Sequence, residues 1–379
     1  MKQNGGLRCE QKNTRNSSVE LLRIISMIVI VGYHYSLHGG YDKFSSYDFC
    51  GGVVFVQLLG LFGKVACSVF ALISGYFLIL QKGTIKEQYK RIFPLFFEMH
   101  FYYIIILAFM LITKLVPVTP ALWVKSLFPL IFGTWYIKYY ILLLLAAPFI
   151  GPWLRALEKE TYRNLVVLVI VVWSVIQTFT NAAWDFGEMD FFFVMYIIGG
   201  YLRLHMGKIS LKKTGIMSIL FITLMIVSVL FFDFAGLISG FSKLIDYASY
   251  FRRYDTILAL GCAISVFLYA LNFSFSSPFI NRIAGATLGI YLIHNNALID
   301  TYIWKVLYPN TEYIYNPYAH AILKIFVIFS VSLIIELIRQ ATVGKMINKW
   351  LDRHYQKIWN GIKWASVKFG NILDIVWTE

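Results

Sequence analysis

Two residues in the first long apolar run have side chains suited to a reaction inside a membrane: Arg23 and His34, within Glu20–His38, ELLRIISMIVIVGYHYSLH. Ten residues separate them. On a helix turning about 100° per residue, eleven steps make three turns plus about 20°, so both lie on one face, about 16 Å apart along the axis. A neutral imidazole takes a proton from a hydroxyl near neutral pH, which makes His34 a candidate general base or nucleophile. The bland alternative is a histidine that bonds one helix to another. Arg23, about one turn into the helix, offers a guanidinium to a phosphate at the inner mouth, against the plain role of a snorkelling anchor. Glu20, three residues earlier, is placed to orient it. Ionisable groups within lipid mark function when they face protein or a cavity, so the remaining elements must enclose this stripe.

Other candidates are scattered along the chain. His294, in LGIYLIH, sits at a depth matching His34 and is a second catalytic candidate if the two helices are neighbours. Lys90 and Arg91 close a basic run that includes Lys82 and Lys86; Arg91, close to Pro94, is placed to meet an anion, while topology alone explains the others. Ser74, before Gly75, reads as a close-packing notch with no base near it in sequence, and is a supporting candidate. Trp135 and Tyr136 either shape a carbohydrate-facing pocket or belong to an interfacial aromatic belt. Glu98 and His100 are further polar groups in an apolar run, with no role assigned. Cys9, Cys50, Cys67 and Cys262 show neither pairing nor metal-ligand spacing, so no metal is expected.

The elements that position these residues follow from composition. Of 379 residues 59% are hydrophobic and 14% charged, with a mean hydropathy of +0.66, far from the soluble average of about 25% charged. A spanning helix needs about 20 apolar residues, and ten such runs are visible. The expectation is therefore an all-α integral membrane protein of about ten transmembrane helices. The runs are read at 20–38, 64–80, 91–113, 134–150, 165–183, 189–204, 214–232, 254–273, 283–301 and 319–339. The net charge of +14 follows the positive-inside rule and calls for no nucleic-acid partner. It places Lys2, Arg8, Lys12 and Arg15, the Lys82–Arg91 run, Arg155, Lys159, Arg163, Arg203, Lys208, Lys212, Lys213 and Arg282 on the cytoplasmic side, with both termini. Residues 1–18 read as a disordered cytoplasmic segment, 19–340 as the membrane domain, and 341–379 as a basic amphipathic tail suited to the anionic inner leaflet, with membrane lipids as partners. The first run has no small-residue cleavage site and is retained. The Gly199-Gly200 pair is read as a close-approach point between helices.

Five pieces, in order along the chain, resemble the membrane-bound acyltransferase-3 family of bacterial O-acyltransferases. They are Arg23 with ten residues before His34, VFALISGYF at 69–77, the basic run ending Arg91-Ile92-Phe93-Pro94, the Trp135-Tyr136 helix entry, and GIYLIH at 289–294. Departures are Ala71 in place of an aromatic and a loop after the second run that is mainly lysine. The resemblance is to stand-alone members, without an extracytoplasmic hydrolase-like domain. It implies a multi-pass protein of the bacterial plasma membrane that moves an acyl group, usually acetyl, from cytoplasmic acyl-CoA to a sugar hydroxyl of a surface or exported polysaccharide or its lipid-linked precursor. Acetyl-CoA is then the donor substrate, held by Arg23, Lys90 and Arg91. His34 and His294 are the catalytic pair, and Trp135 and Tyr136 meet the carbohydrate acceptor. The competing classes are a transporter or flippase for a lipid-linked glycan, although no internal repeat is visible, and a membrane sensor without turnover.

Overall fold

The computed structural model describes residues 16–115, 117, 119–181, 184, 186–207 and 209–377, the side chains of 371–377 excepted. The segment 1–18 therefore lies outside the described residues up to position 15, and so do Lys2, Arg8, Cys9, Lys12, Arg15 and Lys208. The described chain is helical, with no strand among the described residues. Apolar runs in lipid leave the backbone no water to bond, and helices satisfy it internally.

In chain order the first five helices are α1 (Ser17–Leu37), α2 (Gly51–Leu61), α3 (Gly63–Leu78), α4 (Ile85–Lys90) and α5 (Ile92–Thr113). The segment 114–133, read as an external or re-entrant stretch, contains two short helices, α6 (Pro120–Leu127) and α7 (Pro129–Phe132), each opening on a proline whose missing N–H is harmless at that position. Next come α8 (Trp135–Ala156), α9 (Lys159–Ile170) and α10 (Ile176–Phe179), the last two joined by a π-turn, then α11 (Glu188–Leu204) and α12 (Leu211–Ser239). After the short α13 (Lys243–Asp246) follow α14 (Ile257–Leu271), α15 (Pro278–Ala284), α16 (Thr287–His294), α17 (Tyr318–Arg339) and α18 (Lys345–Trp377).

Among the described residues eight helices, or helices in direct succession, are long and apolar enough to cross a membrane. The chain is a multi-pass integral membrane protein. The two other runs read as spans take different forms. Helix α11 is a single stretch of 17 residues. The run 283–301 is broken: α15 stops at Ala284, α16 ends at His294, and the Asn296 side chain then accepts the N–H of Leu298 in a turn. An average over hydropathy does not register such a break, because the apolar residues continue through it. Discontinuous helices inside a membrane are tolerated where protein or a cavity surrounds them.

Helix α1 is the pillar of the bundle. It packs against α2, α3, α14, α15, α16 and α17, and 72% of its most apolar stretch is buried, against 22% for α12. The outer face of α12, with Ile219, Phe231 and Ile238 more than half exposed, is the apolar surface a lipid-facing helix needs. Behind α1, α3 and α11 lie almost backbone to backbone. A Cβ on Gly199 would stand 2.8 Å from the Tyr76 nitrogen and 2.9 Å from the Leu72 oxygen, so the closeness depends on the missing side chain. Helix α18 continues from α17 through a π-turn and docks on α4, where Lys90 Nζ meets Asp352 at 2.7 Å and the Tyr355 hydroxyl donates to the Lys86 carbonyl.

Substitution Gly199→Ala is expected to cost about 1–3 kcal/mol through overpacking, read as a lower thermal midpoint of the purified protein in detergent. An unchanged midpoint contradicts the closeness of α3 and α11.

Candidate active site

The start of α1 is tied down by polar side chains rather than left to fray. Asn16 caps it by accepting the Ser18 N–H at 3.1 Å, Ser17 Oγ donates to Asn281 Oδ1 at 2.8 Å, and Ser18 Oγ donates to the Ala270 carbonyl at 2.7 Å. That fixes the rotation of the helix. One turn on, Arg23 Nη1 lies 3.3 Å from the buried carboxylate of Glu20, the i,i+3 pairing expected from their spacing.

Arg23, Met27 and Ile30 line a cavity of about 300 Å³. Their spacing of four and three residues is one helical stripe, and the next member of it is His34. The stripe from Arg23 to Ile30 thus turns inward, toward a partly open cavity bounded also by α3, α5, α8, α15 and α16, while His34 and His294 are not among its lining residues. Across the cavity stand Tyr136 and Tyr140 of α8 and Tyr291 of α16. A second groove, of about 230 Å³ and open between α1, α3, α12 and α14, is apolar apart from Ser26 and Cys262, and it offers no base.

His34 is 6% exposed and His294 fully buried. Their helices are neighbours: His34 Nδ1 lies 2.9 Å from His294 Nε2. His294 Nδ1 in turn lies 2.6 Å from the Ile290 carbonyl one turn earlier. A carbonyl only accepts, so His294 carries its proton on Nδ1 and presents Nε2 as an acceptor. His34 must then donate from its own Nδ1. Its Nε2 is left unprotonated, with no hydrogen bond from any described residue. The chain carbonyl, imidazole, imidazole has one direction, and it ends on a basic nitrogen. A base oriented by a second group is the arrangement that general-base catalysis requires. His38, whose ring is 4.9 Å from that of His34, completes a group of three imidazoles. Its position, four residues after His34, was visible in the sequence but went unused.

The other sequence candidates fall into two sets. Tyr136 and Ser74 line the cavity; the Ser74 hydroxyl, however, donates to the Phe70 carbonyl at 2.9 Å, which suits packing rather than attack. Trp135, Lys90 and Arg91 are not among its lining residues. The Lys64 ammonium sits over the Trp135 ring at 4.4 Å and over Tyr254 at 5.2 Å. Lys90 is paired with Asp352, and Arg91 is exposed at the junction of α4 and α5, one turn before the cavity residue Leu95. His100 bonds back to the Phe96 carbonyl at 2.8 Å. Glu98 belongs to a polar cluster behind the cavity wall: Arg339 reaches it at 3.1 Å and takes both oxygens of Glu336 at 2.7 Å, while Gln340 donates to the carbonyl of the cavity residue Gly285 at 2.9 Å. Among the described residues no group of three or more His, Cys, Asp or Glu is placed to hold a metal.

The model of one protein family, described as an acyltransferase domain and numbered 3 in its series, matches residues 16–337. No curated protein and no solved structure matches the chain.

The assigned proton positions are open to measurement. In 15N spectra of the histidine-labelled protein His34 and His294 are both expected as Nδ1-protonated tautomers, and His294→Ala is expected to release His34 into a mixture. An Nε2–H signal from His34 in the wild type contradicts the direction of the chain.

Proposed function

The chain belongs to the acyltransferase-3 family of membrane proteins, and from that premise we propose that it moves an acyl group, acetyl in the first instance, from cytoplasmic acyl-CoA to a sugar hydroxyl of a surface or exported polysaccharide. The observation that carries the reading is the stripe on α1 whose first three members, Arg23, Met27 and Ile30, line the cavity and whose next member is His34, with its free Nε2. Arg23 engages Glu20 through Nη1 alone, so its other N–H groups remain to grip a phosphate of the donor. The pantetheine arm then extends along the cavity and brings the thioester to His34. His34 Nε2 takes the proton of the acceptor hydroxyl as its oxygen attacks the thioester carbon. Collapse breaks the C–S bond, and the thiolate leaves with that proton. Through its Nε2, which accepts from His34 Nδ1, His294 holds the imidazole in this tautomer and stabilises the positive charge it gains, as a positioning residue. An acyl-imidazole formed on Nε2 uses the same geometry in two steps.

The small acetyl group is favoured by the crowding at His34, whose ring has His294, His38 and Tyr291 within 5.0, 4.9 and 6.5 Å. Arg91 and Lys90 are assigned to the rim of the donor entrance, Tyr136 to the wall the acceptor meets, and Trp135 to the support of that wall. On this reading both termini and the α4 loop are cytoplasmic and the membrane is the bacterial plasma membrane.

His34→Ala is expected to abolish glycan acylation at unchanged membrane abundance, checked by mass spectrometry of the glycan. Arg23→Ala is expected to raise KM for acetyl-CoA about tenfold to a hundredfold, the worth of a charge-assisted hydrogen bond, with kcat within a few-fold. Both are read in proteoliposomes. A wild-type protein that transports glycan without consuming acetyl-CoA is a carrier, and the acyl-transfer reading then fails.

A further inference from the structure

Attack on a thioester carbonyl places negative charge on its oxygen, and an enzyme needs a fixed donor aimed there. Most donors near His34 are already spent. The Nδ1–H groups of His34 and His294 serve each other and Ile290, Ser74 serves Phe70, and Lys64 lies over two aromatic rings outside the cavity. One donor differs. Tyr291 borders the cavity, its hydroxyl is buried, and no acceptor takes its O–H; the Asn295 side chain, a turn further on, stands beside the phenol oxygen as a donor and leaves that O–H unused.

Buried hydroxyls are normally paired, and three tyrosines of this bundle show the rule. Tyr102 donates to Glu336 at 2.5 Å and Tyr162 to the Ile197 carbonyl at 3.0 Å, while Tyr103 accepts the Thr134 N–H at 3.1 Å. Each ties one helix to another. Tyr196 also has an unpartnered hydroxyl, but it lies against Gly151 and does not line the cavity. Tyr136 and Tyr140 also line the cavity without a hydrogen bond, but among these three it is Tyr291 whose ring contacts both histidines. Its ring is held edge-on by Tyr136 at 6.0 Å, and it stands 6.5 Å from the His34 ring and 6.1 Å from that of His294, three residues along the same short helix. The histidine that orients the base and the phenol facing the reacting group are therefore set by one rigid turn of α16.

We propose that Tyr291 is a catalytic residue whose hydroxyl donates to the carbonyl oxygen of the acyl donor and holds the oxyanion formed there. This rests on the acyl-transfer reading above. As the acceptor oxygen bonds to the carbonyl carbon, the C=O electron pair moves onto oxygen under the Tyr291 O–H, and the acceptor proton passes to His34 Nε2. When the pair returns, the C–S bond breaks and the sulfur takes the proton from His34. Tyr291 keeps its own proton throughout.

The test uses the full chain in proteoliposomes, with Tyr291→Phe, which removes one oxygen and keeps the ring. With acetyl-CoA, kcat is expected to fall about a hundredfold, the effect of losing one oxyanion donor, while KM stays near the wild-type value. Acetonyl-CoA, an unreactive ketone analogue, is expected to bind both proteins with similar affinity. Its carbonyl stretch is expected to drop on binding the wild type and to lie near the free value in the variant. A variant that keeps half of kcat, one with the wild-type carbonyl frequency, or one that loses analogue affinity more than tenfold overturns the role of Tyr291 alone. A wild type that consumes no acetyl-CoA overturns the acyl-transfer reading itself, and this inference with it.

Discussion

A carbonyl oxygen cannot donate, and between buried helices that elementary fact sets the polarity of the whole site. Ile290 O accepts from His294, so His294 must accept from His34, so the open nitrogen of the pair is His34 Nε2. Both rings are buried, and a donor left unmade there costs about 1–3 kcal/mol. The requirement extends to the fold. For His294 to reach His34, α16 must lie directly against α1, and it must stop within a residue of His294 so that the chain can turn away at Asn295 and Asn296. The broken helix and the oriented base are one structural solution.

What holds α16 in register is a second set of buried polar groups. The Glu336 carboxylate lies so close to α16 that a Cβ on Gly289 would come within 2.3 Å of it. The same carboxylate accepts from Tyr102 of α5 and from Arg339 and Gln340, and Arg339 reaches on to Glu98. Ion pairs taken out of water are weak evidence for stability, since desolvation opposes the Coulomb gain. Their directionality is another matter. A bidentate guanidinium between carboxylates from α5 and α17, with a bare glycine beneath, permits one sliding position of α16 and hence one distance between the two imidazoles.

How much of this was legible beforehand depends on the kind of signal each feature leaves. The stripe from Arg23 to His34 was, because helical periodicity turns spacing into facing direction, and the cavity follows that stripe through Met27 and Ile30. The matching depth of His294 was legible too; its contact with His34 was not, since two helices 260 residues apart in sequence leave no local mark of adjacency. The break after Ala284 was hidden for the opposite reason: Gly285 and Ala286 are small and apolar, and a hydropathy reading treats them as more of the same span. Tyr291 was on the page in GIYLIH. One more aromatic in a chain with 25 tyrosines carries no signal until its O–H is found without an acceptor.

Lys90 and Arg23 show where charge counting ends and burial begins. Both are cations near the same end of the bundle, and composition treats them alike. Arg23 is 27% exposed and pinned against a buried carboxylate within the cavity wall, whereas Lys90 and Asp352 are 41% and 67% exposed. An exposed pair of that kind contributes about 0–1 kcal/mol and is screened by salt. Lys90 therefore fastens α18 to α4 only loosely; the aromatic contacts of Tyr355 with Phe93 and of Trp359 with Tyr89 add apolar area that salt does not weaken. A charge held this loosely yields to any stronger anion that arrives, while a charge held as Arg23 is held keeps its geometry and lets the anion conform to it. Preorganisation of this sort, rather than the number of positive residues, distinguishes a binding group from a topological one.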